Sequence, residues 1–159
     1  MEVFNAPSPD LSCEARDAST VTPQVFAMFN SEASLARALA LAERAQRETK
    51  SRDAALSRVF QLVYGRAPAK AELALCLEHW TTLTARHRTL TFSTPPLPRE
   101  VVRDAVEENT GEKFTFSEPL EVAADFVSDR KPADATPETR ALADVCLVLL
   151  NSNEFAYIY

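Results

Sequence analysis

Apolar residues recur mostly at three- and four-residue spacing along this chain, which is the period of an amphipathic α-helix. The densest apolar run is Thr136–Leu150, where apolar residues also fill the positions beside the main stripe. Because the apolar surface then nearly encircles the axis, we expect this segment to form a central helix. Thr136 as N-cap and Pro137 at the first helical position predict where the helix begins.

The same spacing predicts further helices in the first half of the chain, separated by residues that favour caps and turns. Trp80 falls on the apolar stripe of the last of them, so we expect it to anchor the core. Gly65 stands where a left-handed glycine would end the helix before it. The predicted helices begin at Thr22, at Ser31, at Ser51 or Asp53, and at Ala69, and the last one runs to about Arg88.

The predicted start at Ala69 has an incomplete capping signal. Glu72 occupies the third helical position, from which its carboxylate can accept a hydrogen bond from the N–H of the N-cap residue. Ala69 has no side-chain oxygen with which to accept a bond in return. If Ala69 is the N-cap, we expect Ala69→Ser to stabilise the protein.

Several prolines make residues 89–98 the clearest linker in the chain. After the linker, the apolar spacing from Val101 onwards predicts a helix that ends near Asn109–Gly111. Residues 113–116 are expected to be extended, and a further helix is expected to follow them from Ser117 or Glu118.

The two ends of the chain differ from the helical pattern between them. Residues 1–19 are rich in proline, serine and acidic residues and are expected to form an extended N-terminal arm. In residues 151–159 aromatic and aliphatic residues alternate, which predicts a short strand or a tail docked on Met1–Phe4 or Phe114–Phe116. The sequence therefore predicts a mainly all-α fold, with one multi-helix domain over residues 20–159 and room for a minor β pairing.

Composition and charge exclude several classes of protein. Hydrophobic residues make up 46% of the chain and charged residues 25%, which is ordinary for a globular domain and argues against global disorder. Only 2 glycines are present, so the glycine loops of nucleotide-binding folds are excluded. The net charge is −6 and the second half is the acidic one, which makes nucleic acid a poor partner. We interpret the basic clusters at Arg44–Arg52 and Arg86–Arg88 as cations at helix C-termini.

No constellation of reactive side chains stands out. Cys13, Cys76 and Cys146 are far apart and lack the spacing of a zinc site or a covalent haem site. His79 and His87 lie on one predicted helix, about 12 Å apart along its axis, which is too far for them to share a metal ion. We therefore predict no catalytic residue, no metal ligand and no cofactor.

Two acidic clusters, residues 10–17 and 107–112, contain carboxylates that an acid–base mechanism could use, but such clusters are more often solvated faces. The densest apolar helix would rise about 20 Å, which is short of a bilayer, so no membrane span is predicted. The first ten residues are polar and include proline, so we do not expect them to form a targeting signal.

Three stretches of the chain resemble a known family. The first is SCEARDASTVTPQ with the following FN, and its family positions are Cys13, Arg16, Ser19, Thr20, Gln24 and Asn30. The second is TRALADVCLVLLNSNEFAYIY, which is similar to the family's C-terminal signature and includes Asn151, Asn153, Glu154 and Phe155. Between them, YGRAPAKAEL is similar to a Gly-Arg-x-Pro segment, although the family usually has Thr or Ser where Ala69 stands. The family is the planctomycete PSD-one domain, a domain of unknown function.

The resemblance implies a context but no mechanism. Members of the family are typically large exported proteins in which this domain follows other modules, some of them cytochrome-c-like, and no activity is established for the domain. The resemblance implies that this chain is the C-terminal part of a larger exported protein, periplasmic or extracellular. Other domains of the same protein or of a partner protein would then be its partners, and haem-binding cysteines would lie in another module.

Two functions follow as hypotheses. The first is a non-catalytic helical structural or interaction domain, and the alternative is a carbohydrate-binding or hydrolytic domain with a polar site near the two end motifs. The candidate ligand or interface residues are Arg16, Gln24, Asn30, Asn151, Asn153 and Glu154. Structural roles also fit them, because arginine can bridge carboxylates, glutamine can bond buried backbone, and asparagine can cap a helix C-terminus in the left-handed conformation. Convergence of Arg16 and Glu154 in an open cleft would favour the alternative, whereas pairing at helix ends would favour a structural role.

Overall fold

The computed structural model describes residues 22–93, 98–120 and 129–157, which fold mainly as α-helices with one two-stranded sheet. The chain divides into two compact units, Met1–Phe92 with Arg130–Tyr159, and Ser93–Asp129. The prediction of a mainly helical fold with a minor β pairing is therefore confirmed. The predicted arm at residues 1–19 lies outside the described residues, and so do residues 94–97 of the predicted linker.

The first unit is helical, and most of its helices begin at the predicted caps. The hydroxyls of Ser31, Ser51 and Thr136 each accept a hydrogen bond from the backbone N–H three residues later. Gly65 ends a helix in the left-handed conformation, with φ of 71°, as predicted. The elements are α1 Thr22–Asn30, α2 Glu32–Glu48, α3 Arg52–Tyr64, α4 Lys70–His87, a 3-10 turn at Pro132–Asp134, α5 Pro137–Leu150 and α6 Asn153–Ala156.

Helix α5 is the central helix of this unit, as predicted. Helices α2 and α4 both pack against it, and most of its residues are buried. Ala38 and Ala42 of α2 are fully buried, as are Ala141 and Leu142 of α5. The small side chains let the two helix backbones approach closely, and Leu39 and Leu142 fill the core beside them.

Trp80 of α4 is the core anchor that its position predicted, with 1% of its surface exposed. Its indole N–H donates to the carbonyl of Glu138 at 2.9 Å, which ties α4 to the first turn of α5. The guanidinium of Arg52 lies 5.1 Å from the centre of the indole ring and pairs with the Glu138 carboxylate at 2.9 Å. The prediction that Arg52 lies at a helix C-terminus is wrong, because it is the first residue of α3 and Glu138 balances its charge.

The second unit contains a β-hairpin where a helix was predicted. Strands β1, Glu100–Val106, and β2, Lys113–Pro119, pair antiparallel over their full lengths. The predicted helix from Val101 is therefore wrong, and so is the predicted helix start at residues 117–118, which belong to β2. The expectation that residues 113–116 are extended is confirmed. Residues 121–128, which were expected to continue that helix, lie outside the described residues.

The turn of the hairpin explains why the strand conformation is favoured there. The carboxylate of Glu107 accepts the backbone N–H of Asn109 and that of Thr110. Gly111 has φ of 72°, a conformation that costs glycine little, and its N–H donates to the Glu107 carbonyl at 2.9 Å. This turn reverses the chain, and the β-branched Val101 and Val102 are stiff side chains that favour a strand.

The tail folds differently from the predicted strand. Residues Asn153–Ala156 form the short helix α6, and the hydroxyl of Ser152 accepts the N–H of Phe155 at 3.3 Å as its cap. Alternation of aromatic residues over so short a segment does not separate a strand from a helical turn, and the Ser152 cap favours the turn. The predicted contact of the tail with Met1–Phe4 lies outside the described residues.

Of the helices in residues 22–93, 98–120 and 129–157, none combines the length and the apolar character that a bilayer-spanning helix needs.

Candidate functional site

The N-terminal candidate residues lie at or near helix α1. Arg16 is outside the described residues. Gln24 is half-buried near the start of α1, and Asn30 is the last residue of that helix. The side-chain amide of Asn30 donates to the carbonyl of Phe26 at 2.9 Å, so it bonds to a carbonyl of its own helix.

The C-terminal candidate residues lie where α5 ends and α6 begins. Asn151 follows α5, and its side-chain amide donates to the carbonyl of Leu147 at 2.8 Å. Its φ of −104° means that it caps the helix through its side chain and not in the left-handed conformation that was expected. Asn153 is the exposed first residue of α6, and its carbonyl accepts the N–H of Tyr157.

Glu154 belongs to an ion-pair cluster that sequence spacing did not predict. Its carboxylate accepts two hydrogen bonds from Arg66, at 2.6 Å from Nε and 2.8 Å from Nη2. The other edge of the same guanidinium binds Glu72, at 2.8 Å from Nη1 and 2.7 Å from Nη2. Arg66 therefore holds two carboxylates at once, one from the start of α4 and one from α6, in the fork geometry that arginine allows.

Two aromatic side chains contact the guanidinium of Arg66, and the hydroxyl of one of them links the neighbouring helix ends. The guanidinium of Arg66 lies 5.6 Å from the ring centre of Phe60 and 5.4 Å from that of Tyr64. The hydroxyl of Tyr64 donates to the Leu149 carbonyl at 3.1 Å and lies 2.8 Å from the hydroxyl of Ser152. The end of α3 is thus fastened to the end of α5 and to the cap of α6, and the site is a junction of helix ends.

The cluster keeps its carboxylates ionised. Hydrogen bonds from Arg66, and then one from the backbone N–H of Ala69, lower the pKa of Glu72 to about 2. The Arg66 bonds also lower the pKa of Glu154, and the two carboxylates raise that of the guanidinium. Burial raises the pKa of the Tyr64 hydroxyl. A general acid or base works best with a pKa near the working pH, and the Arg66 bonds move the pKa of Glu72 and that of Glu154 away from neutral pH.

Sequence reasoning singled out Glu154 but missed Arg66. The only signal for Arg66 was its place directly after Gly65, in the middle stretch of the family resemblance. Nothing in the spacing joins it to Glu154, because the two residues are 88 positions apart. Only the packing of α3 against α5 and α6 brings them together.

A second polar cluster joins the end of α4 to α5. The Nε2 atom of His87 lies 2.6 Å from a carboxylate oxygen of Asp144. Arg140, buried on α5, donates to the carbonyls of His87 and Ala135, and its guanidinium lies 4.6 Å from the centre of the Phe92 ring. His87 therefore has a carboxylate partner that was not predicted, while His79 is exposed on the same helix.

The histidine–aspartate pair lacks the rest of a catalytic arrangement in the described part of the chain. A histidine base must face a nucleophile with the nitrogen that its orienting carboxylate leaves available. The Nδ1 atom of His87 is buried and has no hydrogen-bond partner among the described residues. The pair instead joins two helices at the edge of the core.

The described cysteines, Cys76 and Cys146, pack against the core. Cys146 is fully buried on α5, and Cys76 is half-buried against the same core. Burial raises the pKa of both thiols. Cys13 lies outside the described residues. Within residues 22–93, 98–120 and 129–157, no group of three or more His, Cys, Asp and Glu side chains is arranged to hold a metal ion.

Comparison with known families shows which family this chain belongs to. The model of the PSD1 family, described as a protein of unknown function (DUF1553), matches residues 1–80. The chain belongs to the PSD1 family. No curated protein and no solved structure is significantly similar to it.

The matched region contains two of the three charged residues of the Arg66 cluster. Residues 1–80 of the PSD1 match include the first family stretch, α1 to α3, and both Arg66 and Glu72. Glu154 and the rest of the C-terminal signature lie beyond it, so that signature stays a resemblance. The PSD1 assignment confirms the suspected family and carries no activity with it.

Proposed function

We propose that this chain is a non-catalytic structural or interaction domain, the C-terminal part of a larger exported protein. The observation that supports the proposal is the Arg66 cluster, in which Arg66 pairs with both Glu72 and Glu154. Both carboxylate oxygens of Glu154, the one acidic side chain among the candidate residues, are bound to Arg66. A ligand that used Glu154 would have to share its carboxylate with Arg66. Among the candidates, Asn30 and Asn151 likewise bond the carbonyls of their own helices.

The alternative, a carbohydrate-binding or hydrolytic domain, needs polar groups free to meet a ligand. A thermal-shift titration of the full chain against a panel of oligosaccharides and divalent metal ions separates the two. The proposal expects no saturable shift of the melting temperature with any member of the panel. A saturable shift that disappears in Arg16→Ala or Asn153→Ala, but persists in Glu78→Ala, would overturn the proposal. Glu78 is the control because it is exposed on α4 and is not one of the candidate residues.

A separate experiment tests whether this chain is part of a larger exported protein. The reading frame upstream of the Met1 codon is sequenced in the source genome. The proposal expects the frame to continue upstream into further domains and an export signal. An in-frame stop codon directly upstream of Met1 would contradict it.

A further inference from the structure

A groove with an apolar floor crosses the helical unit. Its volume is about 390 Å³, and α1, α2, α3, α5 and α6 all contribute to it. Phe155 of α6 lines one side with 48% of its surface exposed. The apolar lining includes Met28, Leu41, Val63, Leu147, Leu150 and Phe155. A groove of this kind suits an amphipathic or extended peptide segment.

Arginines on α2 make the border of the groove basic. Arg37 and Arg44 both line it. Arg44 pairs with Glu48 at 2.8 Å, whereas none of the ion pairs found among the described residues includes Arg37. Arg37 donates one hydrogen bond, to the Ala33 carbonyl of its own helix. The groove therefore offers a cation for an acidic partner.

The N-terminal segment of the same chain has the matching chemistry. Residues 1–21 contain four acidic residues and one basic residue, and the apolar Met1, Val3, Phe4 and Leu11 lie among them. The segment ends where α1 begins, and Met28 of α1 lines the groove. From Thr22 to Met28 the helix rises only about 9 Å, while 21 extended residues can span roughly 70 Å.

We propose that residues 1–21 bind in this groove within the same chain, with their apolar side chains on its floor and their carboxylates toward Arg37. Tethering by α1 gives the segment an effective concentration on the order of millimolar, so a weak contact is enough for occupancy. The PSD1 match begins at residue 1 and includes α1, α2 and α3, so the segment and three of the five helices that line the groove lie within the matched region. The groove is then part of the interior of the complete domain.

Trypsin cleavage after Arg16 tests the proposal on the full chain, because a bound segment is protected from protease. We expect Arg37→Glu and Phe155→Asp each to speed this cleavage about tenfold, since cleavage follows the population of the released segment. The controls are Arg86→Glu and Leu75→Asp, exposed positions on α4 that do not line the groove. Equal cleavage rates in wild type, groove variants and controls would overturn the proposal. Circular dichroism of each variant verifies that it is folded.

A photo-crosslink on the otherwise unchanged chain identifies the occupant directly. Benzoylphenylalanine replaces Phe4, and crosslinked peptides are mapped by mass spectrometry in a mixture of isotopically light and heavy chains. The expected crosslinks join Phe4 to groove peptides, Met28 or Leu147–Phe155, within one chain. Crosslinks between light and heavy chains would assign the groove to a second copy and overturn the proposal, as would crosslinks away from the groove.

Discussion

Arg66 and Glu154 lie 88 positions apart in the chain and pair through two hydrogen bonds, from Nε and Nη2 of the arginine to the two carboxylate oxygens. The same guanidinium binds Glu72, so one side chain fixes the exit of α3, the start of α4 and the short helix α6. These bonds hold α6 against the end of α3 and the start of α4. Glu154 therefore stabilises the packing of α6 through its ion pair with Arg66.

Glu154→Gln should lower the denaturant concentration at which the helical unit unfolds. The change keeps the shape of the side chain but removes the charge, which weakens charge-assisted bonds to Arg66. Fluorescence of Trp80, the single tryptophan of the chain, reports unfolding of this unit. Glu78→Gln is the matched control, since Glu78 is exposed on α4. Equal midpoints for the two variants would show that the pair contributes nothing.

The same cluster makes stability depend on acid pH. The pKa of Glu72 is about 2 in the folded protein and 4.5 ordinarily, so as the pH falls below 4.5 the unfolded chain takes up a proton first. Stability should therefore fall between pH 4.5 and about 2, and Glu72→Gln should make this loss shallower. Urea midpoints of both proteins across this range measure it. Parallel curves would contradict the assignment of the shift to Glu72.

Sequence alone predicted elements whose signals are local. Helix α5 was predictable because its cap and its apolar residues are neighbours in the chain, and Gly65 marked the end of α3 by its own conformational freedom. The hairpin was not predictable, because the apolar residues from Val101 fit both the helical and the strand period over a few positions. The Glu107 turn, which decides between them, depends on hydrogen bonds that spacing does not show.

The candidate site was less predictable than the fold. Asparagine caps at Asn30 and Asn151 follow from local chemistry, although both residues bond through their side-chain amides. Contacts that join distant segments, such as Arg66 with Glu154 or His87 with Asp144, depend on how the helices pack. A single sequence carries no local signal for such pairs.

Leu142→Ala should destabilise the helical unit by about 2–5 kcal/mol, because Leu142 is fully buried on the central helix and its loss leaves a cavity. Val148→Ala on the same helix is the control, since Val148 is 58% exposed. It should change the free energy of unfolding by roughly 0.5 kcal/mol or less. Denaturant titrations measure both. Similar losses from the two variants would refute the central position of α5.

Thiol labelling should separate the two described cysteines. Burial raises the pKa of Cys146 and that of Cys76, but only Cys146 is fully enclosed. Because the thiolate is the reacting form, we expect iodoacetamide to label Cys76 slowly in the native protein and Cys146 only after unfolding. A Cys13→Ser variant removes the third thiol, and mass spectrometry of peptides follows the rates. Native labelling of Cys146 as fast as Cys76 would contradict the packing.

Ala69→Ser should stabilise the protein by about 0.5–2 kcal/mol, because it completes a capping box that is now half made. Ala69 is the N-cap of α4, as predicted, and its N–H donates to the Glu72 carboxylate at 2.6 Å. A serine there, in the same extended conformation, could accept the N–H of Glu72 in return. Ala74→Ser, exposed in the middle of the helix, is the control and should destabilise by roughly 0.5 kcal/mol, since serine is a weaker helix former. Urea midpoints of the two variants should therefore move in opposite directions, and a lower midpoint for Ala69→Ser would mean that serine cannot cap α4.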